Sequence, residues 1–146
     1  MTQEPKRRYD RVANDLREVI STLFRRLRAE SADQALSMSQ VAVVVRLHKG
    51  GPAAVADLAR AEQVTAQWMG ATVASLEKEG LVARKPDPED ARRWNVFLTD
   101  VGERMFLAGR AARQAWLTRA LEVRLDEAEL RRVADALVLL RKVLAE

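Results

Sequence analysis

Tyr9, Val12, Ala13, Leu16, Val19, Ile20, Leu23 and Leu27 recur at steps of three and four residues, with charged residues between them. That spacing puts the apolar side chains on one face and predicts an amphipathic helix over about residues 8–30. Ser31-Ala-Asp33 begins a loop. Ser37 and Gln40 fit a capping box, in which the serine caps the helix start and the glutamine reaches back. The helix it opens is short and almost wholly apolar, Val41-Ala-Val-Val-Val45 and then Leu47. Its β-branched residues also suit a strand, but the cap favours a buried helix. Gly50-Gly-Pro52 stops it. Residues 53–61 hold Val55, Leu58 and Ala59 at helical spacing, and Glu62-Gln-Val64 reads as a turn. Thr65 is the N-cap of a further helix that ends at Gly80, a residue suited to the position after a helix. Met69, Thr72, Val73 and Leu76 make one face of that helix. Trp68, Ala71 and Ser75 make another.

Two β-like runs follow, Leu81-Val-Ala-Arg-Lys85 and Trp94-Asn-Val-Phe-Leu98, on either side of the charged loop at residues 86–93. Thr99 caps a long helix over about residues 100–123. Asp126 and Glu129 begin another capping box, and Leu130, Val133, Ala134, Leu137, Leu140, Val143 and Leu144 form an amphipathic last helix. The order α-α-α-α-β-β-α-α predicts a mainly α fold. Its two-stranded β-hairpin follows a helix-turn-helix, the linear order of a winged helix-turn-helix. The first, fifth and sixth helices carry more apolar face than so small a lobe can cover. Dimerisation covers it most economically, and an intramolecular bundle in a monomer is the alternative.

At 146 residues the chain reads as one domain. No run of about 18 apolar residues exists to span a membrane, and the polar N-terminus does not resemble a signal peptide. A cytoplasmic location is the expectation. With no cysteine and a single histidine, His48, disulfides and thiolate chemistry are excluded, and neither a metal nor a cofactor is expected. No nucleophile sits at a spacing that pairs it with a base, so an enzyme is not expected. The net charge is only +4. Residues 60–93 carry six basic and six acidic residues, so phosphate binding there must come from the placement of individual arginines and helix ends.

Several motifs together resemble the MarR family of transcriptional regulators. They are Val55-Ala-Asp-Leu-Ala-Arg60, Leu76-Glu-Lys-Glu-Gly-Leu-Val82, Arg84, Asp87-Pro-Glu-Asp90 with Arg92, and Leu98-Thr-Asp-Val-Gly102. Their order and spacing cover nearly the whole chain. The resemblance implies a winged-helix lobe at about 36–99 and a helical dimerisation lobe from 1–30 and 100–146. It also implies a homodimer that binds double-stranded DNA at a pseudopalindromic operator. Such a regulator is usually a repressor, often released by a small aromatic ligand.

DNA reading requires a helix presented to the major groove, with residues near its N-terminus reaching the bases. The candidates are Thr65, Ala66, Gln67, Trp68, Ala71 and Ser75. Gln67 can pair with adenine, whereas Trp68 and Ala71 offer apolar contact, for instance to a thymine methyl. Family members commonly carry Ser or Thr where this chain has Trp68, and a polar residue where it has Ala71. Trp68 therefore has two readings, a DNA contact or a peripheral core residue folded over the third helix. Gly70, costly within a helix, allows close approach of DNA or of a neighbouring helix. In the wing, Arg84, Lys85, Arg92 and Arg93 are candidate contacts. The resemblance gives Arg92 the minor groove and makes Asp90 the partner that orients a wing arginine. A solvated charged loop is the alternative.

For a ligand between the dimerisation helices and the DNA-binding lobe, the candidates are Phe24, Met38, His48, Arg113 and Trp116. Trp116 also suits plain packing and His48 a structural hydrogen bond. The competing function is a helical protein-interaction module whose winged helix no longer reads DNA. The neutral charge of residues 60–93 and the unusual Trp68-Met-Gly-Ala71 keep that reading open.

Overall fold

The computed structural model describes residues 3–31 and 35–145. Six helices and three strands follow in the order α1 (Gln3–Ala29), α2 (Met38–Gly50), β1 (Ala53–Ala54), α3 (Val55–Ala61), α4 (Ala66–Lys78), β2 (Val82–Pro86), β3 (Trp94–Leu98), α5 (Asp100–Arg124) and α6 (Glu127–Leu144). The loop expected at Ser31-Ala-Asp33 lies partly outside the described residues. Ser31 itself is buried.

The predicted caps form. Ser37 accepts the Gln40 N–H, and Gln40 in return accepts the Ser37 N–H. Thr65 caps α4, Thr99 caps α5, and Asp126 with Glu129 closes a second capping box on α6. Each satisfies backbone N–H groups that a helix start leaves without partners. Gly51, with φ 74°, ends α2.

The two-stranded hairpin forms as β2 and β3 but gains a third strand, and the third predicted helix starts later than its spacing suggests. Ala53 and Ala54 form a short strand instead, pairing antiparallel with Val96 and Asn95. The sheet order is β1-β3-β2. Pairing with β3 outweighs the helical preference of two alanines, because it satisfies backbone groups that would otherwise lie beside the core. In the β2–β3 ladder, Arg84 faces Val96 and Pro86 faces Trp94.

Val43, Val44 and Leu47 of α2, Leu58 and Ala59 of α3, and Met69, Val73 and Leu76 of α4 make the core with Leu81, Val82, Val96 and Phe106. This places α4 by three apolar residues along one stripe and leaves its opposite face to solvent. Thr99 locks the start of α5 to the end of α4: its hydroxyl donates to the Gly80 carbonyl at 2.6 Å and its N–H to the Leu81 carbonyl at 3.1 Å. A Cβ at Gly102 would collide with that same Leu81 carbonyl. Only glycine permits so close an approach.

Candidate nucleic-acid interface

The turn between α3 and α4 is set by Gln63, which adopts φ 56°. Its N–H reaches the Arg60 carbonyl, and the Val64 N–H reaches Ala59. Gly80 repeats the pattern at the end of α4, with its own N–H on Glu77 and the Leu81 N–H on Leu76. Both are Schellman closures with a left-handed residue after the cap. Arg46 of α2 braces the first of these turns through Glu62, at 2.6 Å.

On α4, Ala66, Gln67, Trp68 and Ala71 face solvent together. Trp68 is 58% exposed, which removes the reading of it as a core residue; the core beneath is already filled by Met69, Val73 and Leu76. Gly70 has no neighbouring helix to admit, since an added Cβ would meet nothing within 4 Å. Thr65 is exposed, and its oxygen caps the helix by accepting the Trp68 N–H at 3.1 Å. Ser75 does not join the exposed set. Its hydroxyl donates to the Thr72 carbonyl at 2.7 Å and accepts from the Gln40 amide at 2.9 Å, so it ties α4 to α2.

The four basic wing candidates separate in the same way. Arg84 pairs with Glu77 of α4. Arg93 pairs with Asp57 of α3 at 3.2 Å. Lys85 lies 4.9 Å from the centre of the Phe97 ring. The Arg92 side chain makes no ion pair or hydrogen bond among the described residues and stands in solvent. Asp90 orients backbone and not a guanidinium: its carboxylate accepts the Arg92 N–H at 3.0 Å, and its carbonyl accepts the Arg93 N–H at 2.9 Å.

Sequence reasoning gave no role to Asp87, the organiser of the wing. One of its oxygens accepts the N–H groups of Glu89 and Asp90, at 2.8 and 3.1 Å, and the other accepts the Asn95 amide at 2.7 Å. The Glu89 N–H, the Asn95 amide and the Asp90 N–H, in that order of effect, hold its carboxyl below the usual aspartate value, helped by the charge of Arg93. The Asp87-x-Glu89 spacing, an Asx turn, was the available signal. Trp94, 55% exposed, lies on the same side of the sheet as Arg84 and Val96.

Of the ligand candidates, Phe24, Met38 and Arg113 do come together. With Leu27, Arg28 and Val41 they line a cleft of about 220 Å³ between α1, α2 and α5. His48 lies elsewhere, bonded to Glu103 at 2.7 Å and stacked on Phe106 at 4.3 Å, so it joins α2 to α5. Trp116 is not among the lining residues; it packs under the Arg26 guanidinium at 5.9 Å.

The sequence profile of the MarR family matches residues 36–94, the span that carries this interface. An HTH-type transcriptional regulator of Mycobacterium tuberculosis, MT0903.1, is 33% identical over 132 residues, 89% of this chain and 92% of that protein. This chain belongs to the MarR family. It is a helix-turn-helix transcriptional regulator. The HTH-type transcriptional repressor MdtR of Bacillus subtilis is 26% identical, over 81% of this chain and 79% of MdtR. In fold, RV1404 of M. tuberculosis superimposes with a TM-score of 0.81 at 25% identity, over 92% of this chain and 94% of that one. Among the described residues, no helix is long and apolar enough to cross a membrane.

Proposed function

We propose that this MarR-family regulator is a homodimeric repressor that binds a pseudopalindromic operator in the cytoplasm and is released by a small aromatic ligand. The observation that carries the reading is the joint exposure of the α4 face at Gln67, Trp68 and Ala71 and of the Arg92 side chain. A helix face suited to the major groove and an arginine suited to the minor groove are thus both available to DNA. Thr65 and Lys85 stand at the edges of that surface, whereas Ser75, Arg84 and Arg93 hold its parts in place. Repression is supported by the likeness to MdtR.

Dimerisation is supported by α6, where Leu130, Val133, Leu137, Val143 and Leu144 are all exposed and no residue is buried by the chain itself. The ligand reading is supported by the cleft. Phe24, Leu27, Met38 and Val41 give it apolar walls suited to an aromatic ring, and Arg28, whose guanidinium donates to the Leu36 carbonyl and reaches the Met38 sulfur, stands at its edge with Arg113.

Footprinting on the DNA flanking the gene tests the proposal. Two protected half-sites about one helical turn apart, or a multiple of it, are expected. Affinity should fall steeply with salt as counterions return to the phosphates. A salt-independent interaction, or none, favours the protein-interaction reading instead.

A further inference from the structure

The exposed face of α4 is unusual for what it lacks. No charged residue occurs between Gln63 and Leu76. The first charge, Glu77, is held by Arg84. Guanine is recognised in the major groove by an arginine or lysine on O6 and N7, and the cytosine amino group by a carboxylate. The helix offers neither. Most of its hydroxyl groups are engaged as well: Thr65 caps the helix, Thr72 donates to the Trp68 carbonyl at 3.1 Å, and Ser75 sits between Thr72 and Gln40. Among the described residues, the Gln67 amide and the indole N–H of Trp68 are the polar groups left on the outward face without such an engagement.

Around Gln67 the surface is hydrocarbon. Ala66, Ala71 and Ala74 are exposed, and Gly70 opens onto empty space. These small residues keep the helix surface low, so the indole of Trp68 is the group that projects from it. The hydrocarbon feature that base pairs present in the major groove is the 5-methyl group of a pyrimidine.

We propose that α4 recognises its half-site through pyrimidine 5-methyl groups packed against Trp68 and Ala71, with Gln67 on a nearby adenine and no direct reading of guanine. The inference rests on the DNA-binding reading above. Trp68 then distinguishes thymine from uracil, and 5-methylcytosine from cytosine, by the same contact. Cytosine methylation at that position strengthens binding.

The test starts from duplexes selected by the purified full chain from a randomised pool. Each thymine is replaced in turn by deoxyuridine, and the affected position is remade with cytosine and with 5-methylcytosine. One methyl withdrawn from a buried contact lowers affinity about four-fold. That loss is expected at one or two positions in each half-site, with 5-methylcytosine binding more tightly than cytosine there. Trp68→Ala should abolish the thymine–uracil difference at the position packed on the indole and Trp68→Phe should keep it, with the melting temperature of both unchanged because the side chain is exposed. Affinity indifferent to every deoxyuridine replacement overturns the inference. So does a loss that is equal in the native protein and in Trp68→Ala at every sensitive position, or weakened binding when 7-deazaguanine replaces guanine within the α4 half-site. Failure to select any duplex overturns the DNA-binding reading itself, whereas selected sites that ignore the methyl overturn only this inference.

Discussion

The Gln40 side chain donates to the Ser75 hydroxyl at 2.9 Å while its carbonyl oxygen accepts the Ser37 N–H at 2.7 Å. One residue thus closes the capping box of α2 and anchors the middle of α4. Met38 and Val41, on either side of Gln40, line the cleft against α1. Ser75→Ala removes the anchor and leaves the Gln40 amide without that partner. A loss of about 0.5–1.5 kcal/mol of stability is expected, measured by urea unfolding, with DNA affinity of the folded protein retained. Reduced affinity at undiminished stability would return Ser75 to the DNA surface.

Arg92 and Arg93 are neighbours in sequence with opposite commitments. Arg92→Ala deletes a guanidinium that makes no ion pair or hydrogen bond among the described residues, so the melting temperature should not move. Affinity should weaken by about 1–3 kcal/mol and the salt slope should fall by about 1. Arg93→Ala breaks the 3.2 Å contact with Asp57, an exposed pair worth at most about 1 kcal/mol. Its effect on affinity should be the smaller of the two. Equal dissociation constants for native protein and Arg92→Ala, across sites of differing minor-groove width, would sink the assignment.

These pairings explain what could be read in the chain. Caps are local: Ser37 with Gln40, Thr65, Thr99, and Asp126 with Glu129 each act within three residues, so spacing alone revealed them. The intramolecular roles of Ser75, Arg84 and Arg93 are not legible in the chain because their partners lie 35, 7 and 36 residues away, and only folding brings them together. Ala53 and Ala54 carry no strand signal of their own; β3 imposes it. Of the five ligand candidates, Phe24, Met38 and Arg113 meet where α1, α2 and α5 converge, whereas His48 bonds Glu103 and Trp116 lies by Arg26, contacts that sequence order does not reveal.

The wing should loosen in acid through Asp87. Its carboxyl titrates below the ordinary value of 3.8 in the folded protein. The carboxylate form is therefore favoured by folding, so its contribution is complete above pH 3.8 and is lost as pH falls through the lower folded value. Amide proton shifts of Glu89 and Asp90, which donate to this carboxylate, report the change directly. In Asp87→Ala both shifts should lie at the loosened values at every pH. Native shifts that titrate only above pH 3.8 would contradict the assignment.

Gln63 and Gly80 occupy equivalent positions in two turns of the same geometry, at φ 56° and 72°, so substitutions should act with opposite sign. A left-handed conformation costs a side-chain-bearing residue about 1–2 kcal/mol, and glycine's extra unfolded-state freedom costs about 0.5–1 kcal/mol. Gln63→Gly should therefore stabilise by about 0.5 kcal/mol, and Gly80→Ala should destabilise by about as much or more. No neighbour lies within 4 Å of a Cβ at Gly80, so backbone conformation alone sets the second value. Urea midpoints of both variants check the pair; a destabilised Gln63→Gly would show that the glutamine side chain holds the turn in another way.

In the proposed dimer, the last helix is expected to pack against a second copy. Leu137 is exposed on α6 between Val133 and Leu144, on a helix with no fully buried residue. A leucine buried at an interface contributes about 1.5–3 kcal/mol, and a two-fold axis uses it twice, so Leu137→Glu should cost the dimer about 3–6 kcal/mol. Sedimentation should show a shift from dimer to monomer at micromolar protein. The winged-helix core, packed from α2 to β3 with Phe106 of α5, should keep its fold. Affinity for a duplex with two half-sites should drop to the level of a single half-site, because the second contact is no longer tethered to the first. A native protein that sediments as a monomer, or a Leu137→Glu variant that remains dimeric, would move the interface away from α6.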